Sequence, residues 1–183
     1  MRDANADQPP LIGRHPPQAW LAQMFSRWEL PLLNYSWRLM RGDHSAAQDV
    51  VQEAFVKLCG QPWPEIEPHA TAWLYRICRN SAIDFNRRRG RMNSTKSSSD
   101  VSEVLDRRSP PPEEHAEKME QLDRVRSEIV GLPEQQQEIL RLRLHDNLSY
   151  KQIAAVTGLT VTNVGYHLHQ AIATLRAAVR FSK

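Results

Sequence analysis

The spacing of apolar residues is the strongest constraint on what this chain can fold into. Apolar residues recur every three or four positions along nearly its whole length, and no stretch alternates apolar and polar residues as a strand would. We therefore predict an all-α protein. Its first helix starts near Trp20, and Pro31 is expected to bend or restart that helix. Later helices are expected at about residues 45–58, from residue 71 onward, and at 114–130, 133–145, 149–156 and 160–181.

A polar segment in the middle of the chain divides it in two. The stretch "MNSTKSSSDVSEVLDRRSPPPEEH" (residues 92–115) is rich in serine and ends in a run of prolines. Such a composition buries too little apolar surface to order itself. We therefore predict two small helical domains, at residues 17–92 and 118–183. A flexible linker at residues 93–117 joins them, and a disordered tail at residues 1–16 precedes them.

The composition argues against several classes of protein. Hydrophobic residues make up 40% of the chain and charged residues 25%, as in ordered soluble proteins. No apolar run approaches a membrane span, and the N-terminus lacks the apolar core of a secretory signal, so we expect a cytoplasmic location. Cys59 and Cys78 have no metal-ligand spacing and are expected to be buried thiols. Without a Gly-rich phosphate loop or a GxSxG motif, we expect no enzyme, metal, cofactor or small-molecule substrate.

Positive charge is concentrated in one part of the chain. The net charge is only +3, yet residues 76–96 hold seven Lys and Arg residues against the single acid Asp84. Residues 97–118 are then predominantly acidic. This asymmetry indicates a basic surface suited to a polyanion, followed by a solvated connector. An ordinary solvated charged face is the alternative.

The segment "AWLYRICRNSAIDFNRRRGR" (residues 72–91) predicts a helix with two different faces. One broad face is expected to pack inward: Trp73, Leu74, Ile77, Cys78, Ser81 and Phe85. The outward row is Arg76, Asn80, Ile83 and Arg87, flanked by Tyr75 and Arg79. Arginines one turn apart suit successive phosphates, while an amide and an aromatic ring suit an unstacked base. Ile83 does not fit this row and is expected to pack on a neighbouring helix.

The C-terminal segment "LSYKQIAAVTGLTVTNVGYHLHQAIATLR" (residues 148–176) has the pattern of a helix-turn-helix. Ser149 and Gln152 predict a capping box that opens a short helix, and Gly158 predicts the turn after it. The longer second helix presents one polar face: Thr162, Asn163, Tyr166, His167 and Gln170. Such a helix fits the major groove, where its early residues reach base edges. An ordinary helical hairpin with a polar outer face is the alternative.

Three motifs in order give the chain a family resemblance. They are "AAQDVVQEAFVKL" at residues 46–58, "AWLYRICRNSAIDFNRRRGR", and the run from "LPEQQQEILRLR" to "QAIATLR" at residues 132–176. Together they resemble the extracytoplasmic-function (ECF) sigma factors, the small two-domain subunits that direct bacterial RNA polymerase to promoters. The resemblance covers about residues 17–92 and 118–183. It implies a region 2 helical bundle and a region 4 helix-turn-helix domain.

The resemblance also implies sites and partners. Core RNA polymerase would be bound through Asp49, Gln52, Glu53 and Phe55. The −10 promoter element would be gripped and melted by Trp73, Tyr75, Arg76, Arg79, Asn80, Arg87 and Arg88, with a flipped base held by the loop at about residues 60–71. The −35 element would be read by Thr162, Asn163, Tyr166, His167 and Gln170. Family members are commonly held by an anti-sigma protein, which makes an anti-sigma factor a further candidate partner.

One segment departs from the family pattern. The recognition helix in the family often reads like "TVKSRLHRAR", whereas residues 163–172 read "NVGYHLHQAI". Gly165, His167, Gln170 and Ile172 stand where lysine or arginine is common, so weaker phosphate anchoring is expected. The alternative function is a stand-alone helix-turn-helix regulator, a dimer on operator DNA. It leaves the first two motifs without a role.

Overall fold

The computed structural model describes residues 15–92 and 125–180 of the chain. The expected linker and nearly all of the expected N-terminal tail lie outside these described residues. Within them the chain is helical and contains no strand, which confirms the predicted all-α class. The chain divides into two compact units with a boundary after residue 98, and the described parts of these units are residues 15–92 and 125–180.

The N-terminal unit is built on three long helices. Its elements are α1 (Gln18–Leu39), α2 (His44–Cys59), the short α3 (Trp63–Ile66), a 3-10 turn (Glu67–His69) and α4 (Ala70–Met92). α1 continues through Pro31, so the expected restart there is wrong. A proline inside a helix removes one hydrogen bond and costs about 3 kcal/mol. Leu32 and Tyr35, one and four residues after Pro31, are buried where α1 packs on α2 and α4. Their burial offsets the free-energy cost of the proline.

The turn between α1 and α2 is also where α4 is held to α1. Gly42 has φ 84°, a left-handed conformation that glycine adopts without strain. The carboxylate of Asp43 then caps α2 by accepting a hydrogen bond from the backbone N–H of Ala46 (3.0 Å). From α4, the Asn86 amide donates to the carbonyl of Leu39 at the end of α1 (2.7 Å). The C-terminal half of α4 is therefore placed by a specific polar contact.

The two cysteines lie in different surroundings. Cys78 on α4 is fully buried, and burial raises the pKa of its thiol to about 12, which the neighbouring Ser36 hydroxyl only partly offsets. Cys59 is exposed at the end of α2. The expectation of two buried thiols is therefore right for Cys78 and wrong for Cys59, because the helix ends there and the chain turns away from the core.

The C-terminal unit contains the expected short and long helices. Residues 125–131 form α5, followed by α6 (Glu134–Leu144), α7 (Tyr150–Thr157) and α8 (Val161–Arg180). The capping box at α7 is confirmed: the Gln152 N–H donates to the Ser149 hydroxyl (3.3 Å), and the Gln152 side chain accepts from the Ser149 N–H (2.8 Å). Gly158 ends α7 with φ 77°. Ile153 of α7 and Val164 of α8 are completely buried, so the two helices share one core.

Candidate nucleic-acid interface

The predicted outward row of α4 lies on the surface. Arg76, Asn80, Ile83 and Arg87 are all exposed. On the predicted inward face Leu74 and Cys78 are completely buried, and the other members are half-buried: Trp73, Ile77, Ser81 and Phe85. The spacing of four, three and four residues keeps the row on one face of the helix. Two guanidinium groups and an amide are thus presented along one side of a rigid element. Such a row is able to contact phosphates and a base edge together.

Tyr75 lies in the core instead of beside that row. Its side chain has no exposed surface and packs against the rings of Trp28 and Tyr35, with centroid distances of 6.0 and 5.1 Å. The prediction that Tyr75 contacts the −10 element is therefore wrong for this structure. α4 packs on both α1 and α2, and this double contact makes its buried arc wider than one neighbouring helix would.

The other −10 candidates on α4 have different degrees of access. Trp73 and Arg79 are half-buried, whereas Arg88 is exposed. Arg79 interacts with neighbouring groups of the protein. Arg88 makes no ion pair within residues 15–92 or 125–180. Arg88 is thus better placed than Arg79 to meet an external phosphate.

Acidic side chains orient part of the basic end of α4. Arg87 pairs with Asp84 at 3.0 Å, one turn earlier on the same helix, and Arg89 lies 4.0 Å from the Asp43 carboxylate. Exposed ion pairs of this kind contribute at most about 1 kcal/mol to stability. Their effect is to hold two guanidinium groups in defined places while both side chains stay partly exposed.

The loop that precedes α4 is packed on the start of α1. The rings of Trp63 and Trp20 meet edge to face with centroids 4.4 Å apart, and both side chains are half-buried. The Gln61 amide donates to the carbonyl of Lys57 (3.2 Å) at the end of α2. The segment expected to hold a flipped base is therefore a short helix and a 3-10 turn with an aromatic support.

The residues expected to contact polymerase fall into two groups on α2. Asp49, Gln52 and Glu53 are exposed on one stripe. Phe55 is buried against the ring of Phe25 (4.9 Å), so its assignment to a binding surface is wrong. Val56 continues the exposed stripe and is 71% exposed. It was missed in the sequence, although its spacing of three and four residues from the stripe is visible there.

In the C-terminal unit, α8 presents most of its predicted polar face. Thr162, Asn163, Tyr166 and Gln170 are exposed. His167 is half-buried, its Nδ1 is enclosed without a hydrogen-bond partner among the described residues, and its ring meets that of Tyr166 at 5.6 Å. A base contact by His167 would therefore depend on Nε2. The remaining four side chains offer hydroxyl, amide and phenol groups to a groove.

A second helix lies beside this face at Gly165. A Cβ at that position would lie 3.7 Å from Cε2 of Tyr150, the first residue of α7. The Arg143 guanidinium lies 5.7 Å from the same ring and donates to the carbonyl of Leu148 (3.1 Å). The sequence reading missed Tyr150 and Arg143. A glycine inside a recognition helix is the signal that would have indicated a close neighbour.

The exposed side chains of α4 and α8 carry groups that suit binding. Among the described residues, no group of three or more His, Cys, Asp or Glu side chains is placed to hold a metal ion. The search of these same residues finds no helix that is long and apolar enough to cross a membrane. The exposed groups on α4 and α8 are hydrogen-bond donors, acceptors and cations, as recognition of a nucleic acid requires.

Comparisons with known proteins agree over both units. The family models described as Sigma-70 region 2 and Sigma-70, region 4 match residues 24–92 and 122–175. The chain is 31% identical over 142 residues to RNA polymerase sigma factor SigZ of Bacillus subtilis, an alignment that covers 76% of each protein. It is 28% identical over 166 residues to the ECF RNA polymerase sigma factor SigL of Mycobacterium tuberculosis, covering 88% of this chain and 90% of SigL.

A solved structure supports the fold. The sigma factor RpoE from Bartonella quintana, in its co-crystal structure with the anti-sigma factor NepR, aligns with a TM-score of 0.61 at 19% identity. The alignment covers 88% of this chain and 98% of RpoE.

Proposed function

Because this chain belongs to the sigma-70 family, as an ECF-type sigma factor with regions 2 and 4, we propose which of its surfaces perform the family's function. The protein binds core RNA polymerase and directs promoter recognition and transcription initiation. We assign residues 17–92 to polymerase binding and to the −10 element, and residues 118–183 to the −35 element. The single observation that carries this assignment is the exposed row of Arg76, Asn80 and Arg87 on a helix that is anchored in the core by the completely buried Leu74 and Cys78.

The polymerase-docking surface is the α2 stripe of Asp49, Gln52, Glu53 and Val56. Its acidic groups suit a basic partner, and Val56, 71% exposed, supplies apolar area at the end of the stripe. Glu53 is paired with Lys57 at 2.7 Å, with both side chains about half exposed. Such a surface ion pair contributes little to the free energy of folding. Glu53 can therefore leave Lys57 and pair with a basic group of the polymerase at little cost to the stability of this protein.

The −10 element is opened by α4 together with the loop before it. Arg76, Arg87 and Arg88 contact phosphates, and Asn80 contacts a base edge. Unstacking a base costs a few kcal/mol, and stacking on an aromatic side chain returns about 1–3 kcal/mol per base. The half-buried rings of Trp63 and Trp73 are the candidates for that stacking. Melting therefore needs no nucleotide hydrolysis by this protein.

The −35 element is read by α8 through contacts that are mainly neutral. No lysine or arginine occurs between residues 161 and 175, so Thr162, Asn163, Tyr166 and Gln170 contribute base and backbone hydrogen bonds instead of strong phosphate anchors. Arg143 and Tyr150, beside Gly165, add a cation and a phenol at the edge of the same face. With few phosphate contacts, the free protein binds duplex DNA weakly and with a shallow dependence on salt.

Three further assignments complete the proposal. The protein contributes no catalytic chemistry of its own and acts in the cytoplasm, where RNA polymerase works. An anti-sigma protein is a candidate inhibitor, as NepR is the partner of RpoE in the co-crystal structure. The alternative of a stand-alone operator-binding regulator leaves the α2 stripe and the basic row of α4 without a role.

Reconstitution tests the proposal. Purified protein is mixed with sigma-free core polymerase, the complex is followed by size exclusion, and transcription is measured on promoters enriched by selection. Co-elution with promoter-dependent transcripts is the expected result. Replacing Arg76 and Asn80 together by alanine is expected to reduce permanganate reactivity of the −10 thymines, while the exposed α1 control Gln23→Ala leaves it unchanged. DNA binding by the protein alone, without association with core polymerase, would favour the operator-binding regulator.

A further inference from the structure

Ile83 is the apolar member of the exposed row on α4. Its side chain is 47% exposed, so it does not pack into a neighbouring helix as expected from the sequence. Isolated exposed apolar side chains are common on protein surfaces and need no explanation by themselves. Ile83 differs because its row neighbours are Arg76, Asn80 and Arg87. These side chains offer positive charge and hydrogen-bonding groups that suit DNA, so Ile83 adds an apolar group to a surface assigned to DNA.

Ile83 lies between the two residues of α4 that are assigned to a base edge and to a phosphate. Asn80 lies three residues before it and Arg87 four residues after it, about 4.5 and 6 Å along the helix axis. Arg87 is held by Asp84 at 3.0 Å, which orients its guanidinium along the helix. When Arg87 contacts a phosphate and Asn80 a base edge, the side chain between them lies over the edge of an adjacent base.

Thymine presents an apolar group at its edge. Its C5 methyl stands among hydrogen-bonding groups in the major groove, and an apolar side chain is its usual protein contact. We propose that Ile83 packs on the 5-methyl group of one thymine in the −10 element and so determines a preference for thymine at that position. The methyl group is the same in a paired and in an unstacked base. This inference rests on the proposed assignment of α4 to the −10 element.

The test removes the methyl group from the DNA and the apolar side chain from the protein. Holoenzyme is reconstituted from core polymerase and the full chain, and a promoter fragment enriched by selection is prepared with each −10 thymine replaced in turn by deoxyuridine. Burial of one methyl group corresponds to about fourfold in an equilibrium constant. One position is therefore expected to lose about fourfold in affinity on replacement. With Ile83→Ala the ratio of the affinities for thymine and deoxyuridine at that position is expected to fall to about one. With Ile83→Val most of the thymine preference is expected to remain.

A matched control keeps the result specific. Leu30→Ala also removes an exposed aliphatic side chain, 65% exposed on α1, and is expected to keep the full thymine preference. Wild-type holoenzyme that opens the promoter equally well with deoxyuridine at every position would overturn the inference. So would an Ile83→Ala variant that retains the preference or loses affinity equally for both bases. Failure of the wild-type protein to form a holoenzyme would instead refute the proposed function, and the inference with it.

Discussion

Two glycines of the C-terminal unit are expected to respond in opposite ways to the same substitution. Gly158 ends α7 with φ 77°, and a Cβ there would find no atom within 4 Å. The cost of Gly158→Ala is therefore backbone strain without a clash. A non-glycine residue in the left-handed region costs about 1–2 kcal/mol, and the smaller entropy of the unfolded chain returns roughly 0.4–1 kcal/mol. Gly158→Ala is therefore expected to lower the free energy of unfolding by about 1 kcal/mol, close to a fivefold change in the folded-to-unfolded ratio.

Gly165 lies inside α8, so alanine suits its backbone. The added Cβ would lie 3.7 Å from the Tyr150 ring, an ordinary van der Waals contact. Gly165→Ala is therefore expected to stabilise the unit by about 0.5–1 kcal/mol. The free energies of unfolding of the two variants are expected to differ by about 2 kcal/mol. For a domain of this size that corresponds to roughly 8–16 °C in melting temperature.

The distribution of tryptophan provides an internal control for this measurement. All five tryptophans precede residue 74, so their fluorescence reports unfolding of the N-terminal unit, while far-UV circular dichroism reports both units. In urea titrations the substitutions are expected to move the dichroism transition and leave the fluorescence transition in place. A Gly158→Ala variant as stable as wild type would refute the strain argument. An equal shift in the fluorescence transition would show that the effect does not belong to the C-terminal unit.

Four further outcomes are expected. Glu53→Lys should weaken association with core polymerase several-fold, because it reverses a charge on the proposed docking stripe, and binding titrations with labelled protein measure this. Gln170→Ala should change the −35 preference found by promoter selection, because it removes an exposed amide of α8. In native protein at pH 8 a thiol reagent should modify Cys59 and spare Cys78 until unfolding. Because the pKa of Cys78 is raised from 9.0 to about 12, its contribution to stability should be constant below pH 9 and decline as pH rises toward 12.

Controls separate these effects from changes in the fold. Glu29→Lys makes the same charge reversal on the exposed surface of α1 and should leave polymerase association unchanged. Equal weakening by both reversals would indicate a general electrostatic effect, and no weakening by Glu53→Lys would count against the α2 stripe. An unaltered promoter footprint for Gln170→Ala would show that the reading face is misplaced. Rapid modification of both thiols in native protein would contradict the burial of Cys78.

Local chemistry is what the sequence predicted well. The capping box of Ser149 and Gln152 and the turn at Gly158 are present because each depends on residues within a few positions of one another. Among the described residues, the ends of α2, α6 and α7 were predicted to within one residue for the same reason; the predicted start of the helix at residue 114 lies outside the described residues. The exposed row of Arg76, Asn80 and Arg87 also follows from helical spacing alone.

The misplaced residues lie at the edges of helix faces. Tyr75 stands one residue from exposed Arg76, and Phe55 stands one residue from exposed Val56. Neighbouring residues are about 100° apart around a helix. A helical wheel therefore does not decide whether a residue at the edge of the apolar face is buried or exposed. Packing on two neighbouring helices widens the buried arc of α4 and encloses Tyr75. Ile83 is misplaced in the opposite direction, because within the described part of the chain its side chain stays 47% exposed.

Residue spacing is enough to predict the all-α class, the motifs that place this chain among ECF sigma factors, and the polar and basic faces of α4 and α8. These follow from residue spacing and from interactions within one turn of a helix. The packing of the helices places Tyr75 and Phe55 in the core, leaves Val56 and Ile83 on the surface, and brings Tyr150 to the reading helix at Gly165. Burial at the edge of a helix depends on where distant helices pack, and that packing results from many contacts far apart in the chain.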